Sequence, residues 1–212
     1  LYPLEDIQLA NILENDKEDT FRNYITDYDT NLKDLEVKSS SLTHKQLKKR
    51  WIEMFEKLQN SYQDPNEGLR RFTQAYLACV SAVDDNIGQV VNAIDNSELK
   101  DNTIIVLVSD HGWTMGEKEH IYKNSPWEES TRIPMTIRVP GMTKTKGLVN
   151  HPVSLIDIYP TLLELAGLDT ETKKNDKGKS LDGYSLVPFL KDPETKDWDG
   201  PEAALTVIYS SD

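Results

Sequence analysis

The sequence predicts an α/β fold with a mainly parallel sheet flanked by helices. The first observation is a long amphipathic helix at 67–94, in which apolar residues recur every three or four positions. The second is the run at 103–108 that follows it, which is apolar on both faces and rich in β-branched residues. Such a strand is typical of a buried parallel sheet, because helices cover both faces of that kind of sheet.

Two helices are predicted before this strand. Residues 44–62 place apolar side chains at steps of three and four, namely Leu47, Trp51, Met54, Phe55 and Leu58. After a turn, the helix at 67–94 continues this spacing with Phe72, Tyr76, Val80, Val83, Ile87, Val90 and Ile94. Both stripes are expected to pack against a core. Residues 1–43 are polar and weakly periodic, which indicates a surface loop with one short helix.

The elements after the strand are shorter. A second strand is predicted at 135–139, followed by a short helix with Asp157 as its N-cap and Gly167 as the C′ residue. The stretch at 169–182 is rich in Lys, Asp and Gly, so we expect an exposed loop. The apolar run at 203–209 predicts a further strand.

Composition excludes several classes of function. The 212 residues are 37% hydrophobic, which is typical of a globular domain. The formal charge of −12 argues against nucleic-acid binding, which needs clustered Lys and Arg. No apolar stretch approaches the roughly 20 residues that span a bilayer. Cys79 is the only cysteine, so neither an intrachain disulfide nor a multi-cysteine metal site can form, and a structural thiol is expected.

The most informative segment is 109–113, Ser-Asp-His-Gly-Trp, where the first strand ends. Ligands of open α/β sheets gather at the carboxyl ends of strands. Asp110 and His111 could both reach one cation if the chain turns at once, and Gly112 permits such a turn. The alternative is that Asp110 caps the next segment and His111 is an ordinary loop residue.

Three basic side chains follow within a short distance: Lys118, His120 and Lys123. A site that holds an anionic group next to a cation can use lysines of this kind, because an ammonium offsets charge on a leaving oxygen. The alternative is that each lysine is a solvated surface side chain. His120 is a candidate substrate contact because it lies between the Asp-His pair and Lys123.

The stretch "TIIVLVSDHGWTMGEKEHIYKNSPWEESTRIPMTIRVPG" resembles the sulfatase family of the alkaline-phosphatase-like superfamily, particularly its iduronate-2-sulfatase and choline-sulfatase-like branch. The resemblance covers about residues 70–190. It implies hydrolysis of a sulfate ester, with Asp110 and His111 as ligands of a divalent cation, usually Ca²⁺ although Mg²⁺ is possible. It also implies that Lys123, thirteen positions after Asp110, binds the sulfate and acts in catalysis.

The same resemblance implies a nucleophile that this sequence lacks. In the family it is a formylglycine made from Cys or Ser in a C/S-x-P-x-R motif, whereas Cys79 is followed by Val80, Ser81 and Ala82. We therefore expect residues 1–212 to be the C-terminal portion of a single catalytic domain, inactive alone. By family analogy the substrate is a sulfated small molecule or saccharide, and the location is periplasmic or secreted.

Two other functions remain open at the level of the sequence. One is a phosphodiesterase or phosphonate monoester hydrolase of the same superfamily, which also uses an Asp-His-Gly turn for its metal. The other is a non-catalytic interaction domain built on this scaffold. The spacing of Lys123 from Asp110 favours the sulfatase.

Overall fold

The computed structural model describes residues 2–13, 16, 53–123, 125–143, 147–169, 171, 173 and 175–206. Their contacts divide the chain into two compact units. The described residues of the first unit come from 2–89 and 111–132, and those of the second from 90–110 and 133–206.

Among the described residues, the first unit contains three α-helices and a β-hairpin. Helix α1 covers 53–60 among the described residues, and α2 is the long helix Pro65–Asp95, which continues into the second unit. The hairpin pairs β2, Thr114–Met115, with β3, Ile121–Tyr122, in antiparallel register. A short helix, α3, follows at Glu128–Thr131.

The core of the first unit joins these elements. Phe55 of α1, Leu69 of α2 and Ile121 of the hairpin are all buried and contact one another. Partly buried apolar residues pack around them, namely Leu9, Ile12, Met54, Leu58, Phe72 and Tyr122. Each fully buried side chain of this kind contributes about 1.5–3 kcal/mol. The hairpin is therefore held on the helices by apolar burial.

The second unit contains a two-stranded antiparallel sheet and two short helices. Strand β1, Ile105–Val108, pairs with β4, Met135–Arg138. Helix α4 is Ile158–Leu165, and α5 is Val187–Lys191.

The prediction of parallel neighbours for the strand at 103–108 is wrong for the described residues. The strand leaves at Val108 and the chain returns beside that residue at Met135, so the pairing is antiparallel. A parallel partner requires a crossover that returns the chain to the opposite end of the strand. Leu107 and Val108 are also more than a third exposed, at 39% and 37%, so the strand is not buried on both faces.

The predicted helices are confirmed where they are described. Helix α2 extends the predicted range at 67–94 by two residues at its N-terminus and one at its C-terminus, whereas 44–52 of the first predicted helix lie outside the described residues. The predicted stripe is only partly buried: Phe72 packs on the core, but Val83 and Val90 are exposed. Cys79, which is expected to be a structural thiol, is exposed as well.

The C-terminal predictions divide in the same way. Gly167 has φ +64° and ends α4 as predicted, because few other residues adopt that conformation cheaply. Asp157 precedes α4, but its carboxylate accepts the backbone N–H groups of Ser154 and Tyr184 instead of capping α4. Residues 203–206 are irregular, and the rest of the predicted strand at 203–209 lies outside the described residues.

Membrane-spanning helices are not found in the part of the chain that the structure describes, since none of its helices is both long and apolar enough.

Close packing of α1 against α2 gives a first testable prediction. A Cβ at Gly68 would collide with the backbone carbonyl of Leu58, whereas Gly88 of the same helix faces open space. Gly68→Ala should lower the free energy of unfolding by about 1–3 kcal/mol, because the two helix backbones must separate. Gly88→Ala should raise it by up to about 1 kcal/mol through helix propensity. Urea titrations of both variants check this, and equal effects of the same sign would contradict the packing.

Candidate functional site

His111 presents one ring nitrogen as an acceptor. Its Nδ1 lies 2.8 Å from the carbonyl oxygen of Gly112. Because a carbonyl oxygen can only accept, Nδ1 carries the proton in this hydrogen bond. The second nitrogen, Nε2, therefore has its lone pair available to a donor or a cation.

Lys123 donates to that nitrogen. Its Nζ lies 2.7 Å from His111 Nε2, on the exposed side of the first unit. The contact joins two residues that are twelve positions apart in the sequence. It places a positive charge at the position from which a cation would be bound by His111.

Asp110 belongs to the second unit, where it is the last residue of the segment 90–110. Its side chain is exposed, and the preceding residue, Ser109, donates its backbone N–H to Pro134 at 3.4 Å. The carboxylate is an oxygen ligand of the type that Ca²⁺ and Mg²⁺ prefer.

Gly112 is required by a close backbone approach. Its N–H donates to Ser130 at 2.8 Å, and the N–H of Trp113 donates to Glu129 at 2.6 Å. A Cβ at Gly112 would collide with the Glu129 carbonyl oxygen. Its φ is not among the positive values of the described residues, so the predicted reason for this glycine, a permitted turn, is replaced by a lack of space.

Aromatic packing fixes the segment that carries His111. The Trp113 ring lies 5.7 Å from the Tyr76 ring of α2 and 5.2 Å from the Tyr122 ring. The His111 ring is stacked near Trp113, with centroids 6.2 Å apart. The long helix and the hairpin therefore both hold this segment.

The hairpin tip contains three residues in the left-handed region. Gly116 has φ +120°, Lys118 +55° and Glu119 +53°. The turn is closed by the Gly116 N–H, which donates to the His120 carbonyl at 2.9 Å. Non-glycine residues adopt such angles only when surrounding contacts enforce them.

Contacts with Asp16 enforce the left-handed conformation of Lys118. The Lys118 backbone N–H and Nζ donate to the Asp16 carboxylate at 3.1 and 2.8 Å, and Nζ also donates to the Asp16 carbonyl at 2.7 Å. Both side chains are only 16% exposed. The Lys118 hydrogen bonds hold the pKa of Asp16 below its usual value. The alternative of a solvated Lys118 is therefore wrong.

His120 lies inside the first unit. Its Nδ1 is 2.8 Å from Thr114 Oγ1, and its ring makes an edge contact with Trp127. The residue is 7% exposed, and burial lowers its pKa to about 4. His120 is therefore neutral at pH 7. That it contacts substrate stays a prediction.

The structure thus brings together part of the predicted set. His111 and Lys123 meet, whereas Lys118 turns to Asp16 and His120 turns inward. Within the described ranges, no three His, Cys, Asp or Glu side chains gather as a metal site. The outward lone pair of His111 fits a cation, because an ammonium already lies against it.

Sequence reasoning missed the residues that support this arrangement. Asp16 and Thr114 carry no motif, and the partner of Asp16 is 102 positions away. Trp113 ends the segment at 109–113, but the sequence predicts no role for it. The two-residue strands of the hairpin are too short to show an alternating pattern. The signal that the sequence offers for the hairpin is Gly116, because glycine is typical of turns.

Comparisons with known sequences identify sulfatases as relatives of this chain. The sequence model of the family "Sulfatase" matches residues 13–168. A protein of Formosa agariphila named sulfatase is 39% identical over 142 residues, which is 62% of this chain and 27% of that protein. Choline-sulfatase of Rhizobium meliloti is 35% identical over 60% of this chain and 24% of its own length. The chain thus spans about a quarter of these relatives.

Solved structures give the same fold. One is a protein in complex with its substrate D-glucosamine-2-N,6-O-disulfate, with a TM-score of 0.53, 33% identity, and coverage of 62% of this chain and 26% of that one. Another is the phosphonate monoester hydrolase of Silicibacter pomeroyi, with a TM-score of 0.57, 29% identity, and coverage of 65% and 26%. The predicted alkaline-phosphatase-like fold is confirmed by these similarities.

The Lys118–Asp16 pair predicts a loss of stability without a loss of the site. Lys118→Met keeps most of the stem but leaves the Asp16 carboxylate without its ammonium partner, so the urea midpoint at pH 7 should fall. Lys196→Met, at an exposed lysine, serves as the control and should leave the midpoint unchanged. Equal midpoints for the two variants would show that the pair contributes nothing.

Burial of His120 predicts a pH dependence of stability. The unfolded chain binds a proton on this residue below about pH 6.5, but the folded chain does so only near pH 4. Stability is therefore complete above pH 6.5 and falls as the pH is lowered, by about 1–2 kcal/mol at pH 5. Urea unfolding at pH 7.5 and 5 should show this loss in the wild type and a smaller one in His120→Asn, which cannot titrate. The same pH dependence in both would exclude His120 as its source.

Proposed function

This chain belongs to the sulfatase family, and on that premise we propose that it forms part of an enzyme that hydrolyses a sulfate ester. In the overall reaction, the S–O bond to the organic group breaks, water supplies the new oxygen of sulfate, and the alcohol leaves with a proton. The observation that carries the proposal is the contact between Lys123 and His111, which brings these two family residues together.

Lys123 is proposed to bind the sulfate and to offset charge on the ester oxygen as the S–O bond breaks. Its ammonium is exposed and lies on the imidazole of His111, so a short rotation of the flexible stem carries it to an anion beside that residue. A positive charge held where negative charge develops lowers the barrier more than it strengthens ground-state binding.

Asp110 and His111 are proposed to hold a divalent cation, Ca²⁺ by family analogy or Mg²⁺, which when bound polarises the sulfate oxygens. The tautomer of His111 supports this role, because the Gly112 carbonyl keeps the proton on Nδ1 and leaves Nε2 as the ligand atom. The remaining metal ligands would come from residues other than Asp110 and His111.

The nucleophile is proposed to lie outside these 212 residues, since none of the ten prolines follows a Cys or Ser at the spacing of C/S-x-P-x-R. A formylglycine would supply it. In this proposal residues 1–212 are the C-terminal portion of one catalytic domain, and the purified chain alone should not hydrolyse an aryl sulfate above background.

The substrate is proposed to be a sulfated small molecule or saccharide. The enzyme is proposed to be periplasmic or secreted. The structural similarity to a protein bound to a disulfated glucosamine supports the saccharide. Nucleic acid is disfavoured by the charge of −12.

A second candidate is hydrolysis of a phosphonate monoester or phosphodiester. The similarity to a phosphonate monoester hydrolase, with a TM-score of 0.57, favours it. The two candidates differ in their preferred ester, so rates on an aryl sulfate and on an aryl phosphonate distinguish them. If the longer protein hydrolyses neither ester and binds no cation, it is instead a non-catalytic interaction domain.

The different duties of the site residues can be separated in the longer enzyme. Asp110→Ala and His111→Ala should lower both metal content and turnover, because each removes a ligand. Lys123→Ala should lower kcat by about 10²–10³-fold while the metal stays bound, because it removes one preorganised donor. Metal analysis and aryl-sulfate kinetics on the same preparations check these expectations.

The matched control is Lys196→Ala, which removes a lysine that is exposed in the second unit. It should retain wild-type kcat and metal content. Loss of metal in Lys123→Ala, or near-normal kcat in that variant, would show that the sulfate-binding lysine has been misplaced.

A further inference from the structure

The backbone directly before Lys123 is strained and held by a buried side chain. Tyr122 has φ +80°, in the region that residues with a Cβ seldom adopt. Its carbonyl oxygen accepts a hydrogen bond from Thr114 Oγ1 at 2.7 Å. This carbonyl belongs to the peptide unit that joins Tyr122 to Lys123. The orientation of that unit therefore determines the direction in which the lysine leaves the hairpin.

Thr114 is well suited to hold this peptide. It is fully buried, at 0% exposed, and lies opposite Tyr122 in the hairpin register. A buried hydroxyl that loses its acceptor is an unsatisfied polar group and destabilises the fold, so the hydrogen bond is strongly maintained. Backbone strain at a non-glycine residue in this region persists only where such contacts enforce it.

His120 fixes the direction of the Thr114 proton. The hydroxyl has one proton, and it is donated to the Tyr122 carbonyl, which can only accept. Thr114 Oγ1 must therefore accept from His120 Nδ1, 2.8 Å away. His120 is thus the Nδ1–H tautomer, and its buried, neutral ring leaves the hydroxyl no alternative orientation toward it.

We propose that Thr114 and His120 form a positioning pair that aims Lys123 at the substrate by holding the Tyr122–Lys123 peptide. This inference rests on the proposed function of Lys123 and adds two residues that never touch the ester. Lysine has four rotatable side-chain bonds, so its ammonium is placed accurately only if its backbone is fixed. An error of about 1 Å at a catalytic group can cost roughly 10²-fold in rate.

Matched substitutions in the longer enzyme test the pair. Thr114→Val keeps the shape but removes the hydroxyl, and it should lower kcat on an aryl sulfate by about 10-fold or more, with KM changed by less than about threefold. Thr114→Ser restores the donor and should recover kcat to within about threefold of wild type. A Thr114→Val enzyme with normal kcat, or an equal defect in Thr114→Ser, would overturn the proposal.

A second pair decides the matter if Thr114→Val does not fold. The amide of His120→Asn lies at the position of Nδ1 and can donate to Thr114, whereas that of His120→Gln lies one bond farther along. His120→Asn should retain more kcat than His120→Gln, and the reverse order would contradict the assigned tautomer.

A readout without turnover separates this inference from the proposed function. Labelling of Lys123 by an amine-reactive reagent, relative to exposed Lys191, should change by at least about threefold in Thr114→Val and return in Thr114→Ser. An unchanged ratio would overturn the positioning role whether or not the wild type is active. A wild type that labels as expected but hydrolyses no sulfate ester would contradict only the proposed function.

Discussion

The apolar contact among Phe55, Leu69 and Ile121 is the constraint on which the first unit depends. These residues belong to α1, α2 and the hairpin, and each is at most 3% exposed. Because side chains in so dense a contact cannot move separately, the hairpin is fixed relative to α2. Lys123 lies two residues beyond Ile121, and Trp113 carries the His111 segment onto the same helix. The candidate site therefore inherits its position from an apolar core.

The basic residues near the candidate site have different environments. The chain carries a formal charge of −12, which does not favour an anionic substrate at long range. Lys118 is paired with Asp16 inside the first unit, and burial keeps His120 neutral. Of the three basic residues predicted from the sequence, only Lys123 directs its charge to His111. In the proposed function, a sulfate ester is recognised by this local positive charge.

The sequence predicted the elements and residues whose signal is local. The long helix follows from apolar spacing, whereas the roles of Asp110, His111 and Lys123 follow from the resemblance to the family and stay predictions. Contacts between distant residues left no such signal: Asp16 meets Lys118 across 102 positions, and Gly112 is required by the carbonyl of Glu129. The antiparallel pairing of the first strand escaped prediction because an apolar run does not specify the direction of its neighbour.

We infer that Lys123 leaves His111 for the sulfate when a substrate is bound. A crystal structure of the longer enzyme with a sulfate ester and its metal tests this most directly, through the distance from Lys123 Nζ to the nearest sulfate oxygen. We expect a charge-assisted hydrogen bond of about 2.7–2.9 Å, with His111 Nε2 bound to the cation. Lys123 still hydrogen-bonded to His111 in that complex, with no contact to the sulfate, would contradict it.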